Sequence, residues 1–308
     1  VSTKVFAVGA GKGGVGKTFI STSLAITLAK LNHSVLLIDF DLAGANVHSH
    51  LGVAPASPTI QSYLSAEAPL TTLIQKTSIP RLSFVQGVWE EWENLNCQKG
   101  QGKKLVAATR ELTYDFVIID LGPGATNTNL EIFQNADEKI LVTSAEPTAL
   151  EKSYRFMETW ILKQISQNST AESFAQLKEA VKNFRNQKAN GHFSFRQYLN
   201  ASNVSAGVSF DHFDQLSNQP IRLVMNSCRS HLDQNLGYSV KSVCNKFFDL
   251  QIDYAGFIDF DNAVWHSIRG REPFLISKPF TALSGQFLSL AKVLSNSEIN
   301  ANVFRAVL

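Results

Sequence analysis

Gly11-Lys12-Gly13-Gly14-Val15-Gly16-Lys17-Thr18 sets glycines, two lysines and a hydroxyl at the spacing G-x-x-x-x-G-K-[ST]. That spacing suits polyphosphate chemistry. Glycines let successive backbone N–H groups point into one concave nest, a lysine at position 17 reaches β- and γ-phosphate oxygens, and a hydroxyl at position 18 ligates Mg²⁺. The loop follows the apolar run Val5-Phe6-Ala7-Val8 and leads through Phe19 into a segment in which Ile20, Leu24, Leu28 and Leu31 recur at helical spacing. The positive end of that helix adds to the nest. Gly11, Lys12, Gly13, Gly14, Val15, Gly16, Lys17, Thr18 and Phe19 are therefore the expected nucleotide-binding segment.

Two acidic elements supply what the loop lacks. Asp120 ends the apolar run Phe116–Ile119 and is followed by Leu121-Gly122-Pro123-Gly124, which places a carboxylate beside a magnesium shell and a Gly-rich turn where it can sense a γ-phosphate. Asp39-Phe40-Asp41 ends another apolar run. Alternation along an extended chain points its two carboxylates to one side, a pair that suits magnesium and the attacking water of a hydrolysis.

The elements that must hold these groups are legible as short apolar runs ended by Gly, Asp or Asn, alternating with longer stretches of 3.6-residue period. Strands are expected over 4–9, 34–39, 82–86, 115–120, 139–144, 221–226 and 253–258. All but the third are close to continuously apolar, as parallel strands covered on both faces should be. The rhythm breaks at about 150–219. An amphipathic helix carrying Tyr154, Phe156, Trp160 and Ile161 gives way to polar stretches such as Gln167–Thr170, then to the aromatics Phe193, Phe195, Tyr198, Phe210 and Phe213, too many for a free linker. The expectation is one α/β domain over 1–308, a mostly parallel twisted sheet covered by helices on both faces, with a helical insertion at about 160–219.

Composition narrows the function. The 308 residues carry a formal charge of only +2, short of the basic excess of a dedicated nucleic-acid binder, so DNA is not an expected partner. Three cysteines, Cys97, Cys228 and Cys244, form no C-x-x-C pair, which gives neither a disulfide framework nor a zinc site and fits a cytoplasmic protein. No stretch reaches the roughly 18 uninterrupted apolar residues of a membrane span. His33, His48, His50 and His266 lack a second ligand at metal spacing and read as packing or surface residues. His48 and His50, two apart just after the Asp39–Asp41 element, are candidates for contact with a partner. Trp265, Arg269 and Arg271 form a second candidate surface of that kind.

Lys12 is not required by the general phosphate-loop pattern, and the string GKGGVGKT resembles the deviant Walker A loop of the MinD/ParA family. DFDLAGANVH, with Asp39, Asp41 and Asn46, looks like that family's first switch, and IIDLGPG like its second. The resemblance implies a three-layer P-loop NTPase fold, ATP/ADP and Mg²⁺ as ligands, and slow ATP hydrolysis. It also implies a homodimer closed around ATP, in which Lys12 acts on the partner's nucleotide. Lys12, Lys17 and Asp41 then take the catalytic roles, Asp41 orienting water; Thr18, Asp39 and Asp120 surround the metal; and Asn226 reads the adenine edge. A protein activator or cargo is implied as well. DFDLAGANVHSHLG and GFIDFDNAVWHSIRGREPF are most similar to the MinD-like ATPases near the FlhG branch, the flagellar-number regulators.

Three departures bear on relatives that share the loop. Residues 295–308 hold Arg305 but no Lys, with Val303, Phe304, Val307 and Leu308 as a small apolar face, so the basic membrane-targeting helix expected of MinD is poor and peripheral membrane contact has little support. The cysteines lack the pairing of the iron–sulfur relatives, so no cluster is expected. The tail has no tyrosine run like that of the related tyrosine kinases. Two further readings stay open: a nucleotide-dependent scaffold that does not hydrolyse, against which Asp41 argues, and ParA-like nonspecific DNA binding.

Overall fold

A computed structural model describes residues 2–42, 44–88, 97–166, 171–187, 194, 196–197 and 219–295. The expectations for Gln167–Thr170, for Phe193, Phe195, Tyr198, Phe210 and Phe213, and for the tail beyond Ser295 lie outside these residues.

In chain order the first half runs β1 (Lys4–Gly9), α1 (Lys17–Lys30), β2 (Val35–Phe40), α2 (Val47–Leu51), α3 (Ile60–Leu64), a 3₁₀ turn (Leu70–Leu73), β3 (Ile74–Lys76), β4 (Leu82–Val85), α4 (Gln101–Arg110) and β5 (Phe116–Leu121). There follow α5 (Asn127–Asn135), β6 (Glu138–Thr143), α6 (Pro147–Ser166), α7 (Ala171–Gln187), β7 (Ile221–Cys228), α8 (His231–Phe248), β8 (Ile252–Asp259), α9 (Asn262–Gly270), α10 (Phe274–Ser277) and α11 (Ala282–Ser295). Among the described residues the strands make one eight-stranded sheet in the order β3-β4-β2-β5-β1-β6-β7-β8. Every neighbour pairs in parallel except β3, which runs antiparallel to β4.

The sheet is covered on both faces, as its apolar strands require. Alternate residues of one strand serve opposite layers. Val5 and Ala7 of β1, Leu36 and Ile38 of β2, and Val117 and Ile119 of β5 pack with Leu105, Phe133, Phe156, Trp160 and Cys244 from α4, α5, α6 and α8. Phe6, Val8, Val35, Leu37 and Ile118 face the other way, onto Ile20, Leu24 and Leu28 of α1 and Phe287 and Leu290 of α11. The seven strands expected from sequence are all present, with ends shifted by one or two residues. The strand that sequence did not give is β3, three residues at the edge in which only Ile74 is apolar.

α6 is one helix to Ser166, and Trp160, Ile161 and Ile165 on it are buried in the core, so the stretch read as an insertion from about 160 begins inside a core helix. α7 continues the helical character. No described helix is long and apolar enough to cross a membrane.

The site is set by topology. β1 lies between β5 and β6, and the chain winds outward from it in both directions, which leaves a crevice beyond the carboxyl ends of the strands at that switch point. The phosphate loop follows β1 directly, Asp41 follows β2, and the Gly122–Gly124 turn follows β5.

Candidate functional site: a phosphate cavity at the carboxyl ends of the strands

Gly16 occupies the N-cap of α1 in the left-handed conformation, φ 86°, with no side-chain cap, so the first-turn N–H groups of α1 remain directed at the loop. Glycine is needed here twice over. The backbone is left-handed, and a Cβ would stand 2.1 Å from the Asn226 amide nitrogen. Gly11 is constrained differently: a Cβ there would stand 2.2 Å from the Lys152 carbonyl oxygen of α6, so the loop threads directly under that helix.

Lys17 and Asp120 are buried, and Lys17 Nζ lies 3.0 Å from Asp120 Oδ1. The same carboxylate accepts from Ser21 Oγ at 2.8 Å on Oδ1 and from Thr18 Oγ1 at 2.7 Å on Oδ2. Three side chains of one helix thus converge on one carboxylate because Asp120, like Ile118, projects to the α1 face of β5. Asp39 is its register partner across β2–β5 and is fully buried. Its Oδ1 accepts from the Asp41 N–H at 3.1 Å and its Oδ2 from the Val47 N–H at 3.0 Å, so one carboxylate clamps both ends of the 41–47 loop. Burial, with Asp120 beside it, pushes the Asp39 pKa from 3.8 up to about 7, against the pull of the two N–H groups and Lys17.

Two carboxylates held side by side with a hydroxyl form an all-oxygen donor set of the kind Mg²⁺ takes, and the raised Asp39 pKa marks a place short of positive charge. The oxygens of Thr18, Asp39 and Asp120 are of a kind that fits a divalent cation. Lys17 is placed to exchange Asp120 for phosphate oxygens.

The remaining expected residues stand as follows. Asp41 lines the cavity mouth beside the second Gly-rich turn, where a Cβ on Gly122 would lie 3.2 Å from Asp41 Oδ1. Lys12 is half exposed and bound within its own chain, 2.7 Å from Glu146 Oε2 and 3.0 Å from Thr148 Oγ1; Lys12 in turn holds the Glu146 carboxyl below its ordinary range. Asn226 is buried inside β7 and donates to the Val15 carbonyl at 2.8 Å. Val15 itself is buried, and Phe19 meets Phe274 and Phe287 edge-on at 5.7 and 5.3 Å, fixing α1 to α10 and α11. Gly13, Gly14, Gly16, Lys17 and Thr18 line a cavity of about 560 Å³ that extends from the phosphate loop to a wall made by Phe260, Asp261, Val264 and Trp265.

Sequence reasoning missed several parts. Asn129 of α5 donates to the Gly122 and Gly124 carbonyls at 3.0 and 3.2 Å, pinning the turn after Asp120. Asp259 is held by Gln234 and Gln286 at 2.9 and 2.6 Å at the far wall. Arg229 stacks its guanidinium 3.6 Å from the Phe260 ring centre. Trp265, read as outer surface, is 57% exposed yet also lines the cavity. His50 lines it as well. The segments GFIDFDNAVW and NVHSH carried that signal, but only folding shows which side chains turn inward.

The cysteines are dispersed. Cys97 is half buried, Cys228 sits buried in β7 with its thiol pushed up to about 12 by burial, and Cys244 is buried on α8 against Met157. Among the described residues no group of three or more His, Cys, Asp or Glu side chains is placed to hold a metal.

Comparison with known proteins agrees with the fold and the loop. A family model described as "ParA: NUBPL iron-transfer P-loop NTPase" matches residues 2–171. The antiactivator FleN of Pseudomonas aeruginosa is 29% identical over 162 residues, 50% of this chain and 55% of that protein. A cytosolic Fe-S cluster assembly factor NUBP2 homolog of Culex quinquefasciatus is 29% identical over 157 residues, 46% of this chain and 57% of that protein. The chain spans little more than half the length of these curated relatives. The septum site-determining protein MinD of Pyrococcus horikoshii OT3, solved with Mg-ADP, superposes with a TM-score of 0.65 at 20% identity, covering 94% of this chain and 95% of that one. Since the family model spans more than half of the chain, phosphate loop and second Gly-rich turn included, the chain belongs to the ParA/MinD family of P-loop NTPases.

Proposed function

We propose that the chain is an ATP-hydrolysing switch that dimerises around MgATP and, in that state, positions or counts a cellular structure in the cytoplasm. The observation that carries this reading is the convergence of Lys17, Thr18 and Ser21 on Asp120 next to a cavity of about 560 Å³ that Lys17 and Thr18 line. The phosphate-loop N–H groups and Lys17 hold the β- and γ-phosphates. Thr18, Asp39 and Asp120 hold Mg²⁺, which neutralises charge on the phosphates when bound. Asn226 reads the adenine edge. Asp41 orients water for in-line attack on the γ-phosphorus; the bond to the β–γ bridging oxygen breaks, and ADP and phosphate leave.

Lys12 completes the switch. Its Glu146 partner lies on an exposed surface, where such an ion pair is worth little, so Lys12 is available to a triphosphate on a second copy. Residues 1–308 act as one P-loop domain with an insertion, and the cargo or activator is a protein. Iron transfer is not part of this reading: Cys228 and Cys244 are buried in β7 and α8, and only Cys97, half buried, remains; iron bound stoichiometrically by the purified protein would contradict this.

Titration with MgATP and measurement of phosphate release test the reading. Asp41→Ala retains ATP and loses turnover by about 10²-fold, the scale of a lost water-positioning group. Unchanged turnover in that variant would refute the hydrolytic mechanism.

A further inference from the structure

We propose that His50 is a γ-phosphate contact, an imidazole N–H donor through which the cavity distinguishes nucleoside triphosphate from diphosphate. This rests on the reading of the cavity as a nucleotide site. α2 sets the geometry. Its first N–H, on Val47, is held by Asp39 Oδ2, and the His50 N–H bonds the Asn46 carbonyl at 3.3 Å. Asn46 and His50 therefore stand one helical turn apart on the same face. Val47 and Leu51 turn into the core, whereas Asn46 and His50 line the cavity together with Asp41. The segment that follows β2 thus offers three polar side chains to one space.

His50 lines the same cavity as Gly13, Gly14, Lys17 and Thr18 of the phosphate loop. The charges of Asp120, Lys17 and His48 act on its ring. An aliphatic side chain would satisfy the packing of a position next to Leu51. The half-buried imidazole instead lines the cavity and presents a polar ring to it. Burial, reinforced by Lys17, lowers its pKa to about 4, so near neutrality the ring carries one N–H and no net charge. Such a donor adds a directed hydrogen bond to a γ-oxygen without competing electrostatically with Lys17. A diphosphate has no oxygen at that place, so the contact is made by the triphosphate alone.

The test compares affinities for Mg-AMPPNP and Mg-ADP by calorimetry in the unaltered chain, His50→Leu and His50→Gln. His50→Leu is expected to keep ADP affinity within about twofold and to weaken AMPPNP about tenfold or more, the order of one hydrogen bond to a charged acceptor. His50→Gln, which restores a donor of similar reach, is expected to recover most of the loss. An unchanged ratio of the two affinities in His50→Leu overturns the proposal. Equal loss of both nucleotides overturns it too, as the mark of a packing role. If the unaltered chain binds neither nucleotide, the reading of the cavity itself fails, an outcome distinct from either.

Discussion

Asp39 shows how much of this site is decided by a few ångströms. It cannot ionise freely because Asp120 lies beside it and water does not reach it, yet it holds both ends of the loop that carries Asp41. Its folded pKa of about 7 exceeds the ordinary 3.8, so the folded chain keeps a proton that the unfolded chain gives up. The stability this contributes is full below about pH 4, falls as pH rises, and is gone above about 7. Protein free of nucleotide and Mg²⁺ should therefore lose Tm between pH 5 and 8, and Asp39→Asn should flatten that decline; an equally steep decline in the variant would contradict the assignment. Lys17→Ala leaves Asp120 buried without its counter-charge, which should cost about 3 kcal/mol of stability besides abolishing nucleotide binding, measured by urea unfolding and ATP titration. Lys17, Thr18, Asp39 and Asp120 were legible because the chemistry depends on local spacing. Glu146 was not, since it meets Lys12 across 134 residues of sequence, and neither was His50, whose inward turn depends on how α2 seats.

At the scale of elements, the strands declared themselves because both faces of each are covered, and α1 because its apolar positions recur every turn. β3 did not, since three residues with one apolar side chain carry no period. The last strand read correctly, yet the cavity wall that follows it did not, because Phe260 and Trp265 resemble any exposed aromatics until α9 folds back. The contact of the phosphate loop with α6 is likewise invisible in sequence, and it makes a prediction. Gly11→Ala forces a Cβ against the Lys152 carbonyl; relieving it must displace the loop or the helix, at about 1–3 kcal/mol. ATP binding should weaken in Gly11→Ala and in Gly14→Ala alike, since both belong to the phosphate loop, but urea unfolding should show the larger loss of stability only for Gly11→Ala, because Gly14→Ala, whose Cβ meets no atom within 4 Å, carries only the smaller cost of its left-handed backbone. Equal losses of stability at the two glycines would contradict the packing described here.

For the whole molecule, a doubly wound sheet gathers the ends of β1, β2, β5, β7 and β8 around one crevice, and nucleotide chemistry needs nothing beyond that crevice. Dimerisation does. The expected fold was recoverable from the alternation of runs, but the meaning of Lys12 depends on a second copy that no single chain contains; here Lys12 rests on Glu146 and Thr148 of its own chain. Under the proposed function, MgATP moves Lys12 from that resting place onto a partner's triphosphate. The most direct test is the solution mass of the Asp41→Ala protein, by light scattering, with MgATP, with MgADP and without nucleotide, and again with Lys12→Ala added. The account predicts about twice the 33.9 kDa chain mass with MgATP alone, and monomer in every condition once Lys12 is removed. A protein that binds ATP and stays monomeric throughout, or that dimerises without Lys12, would contradict it.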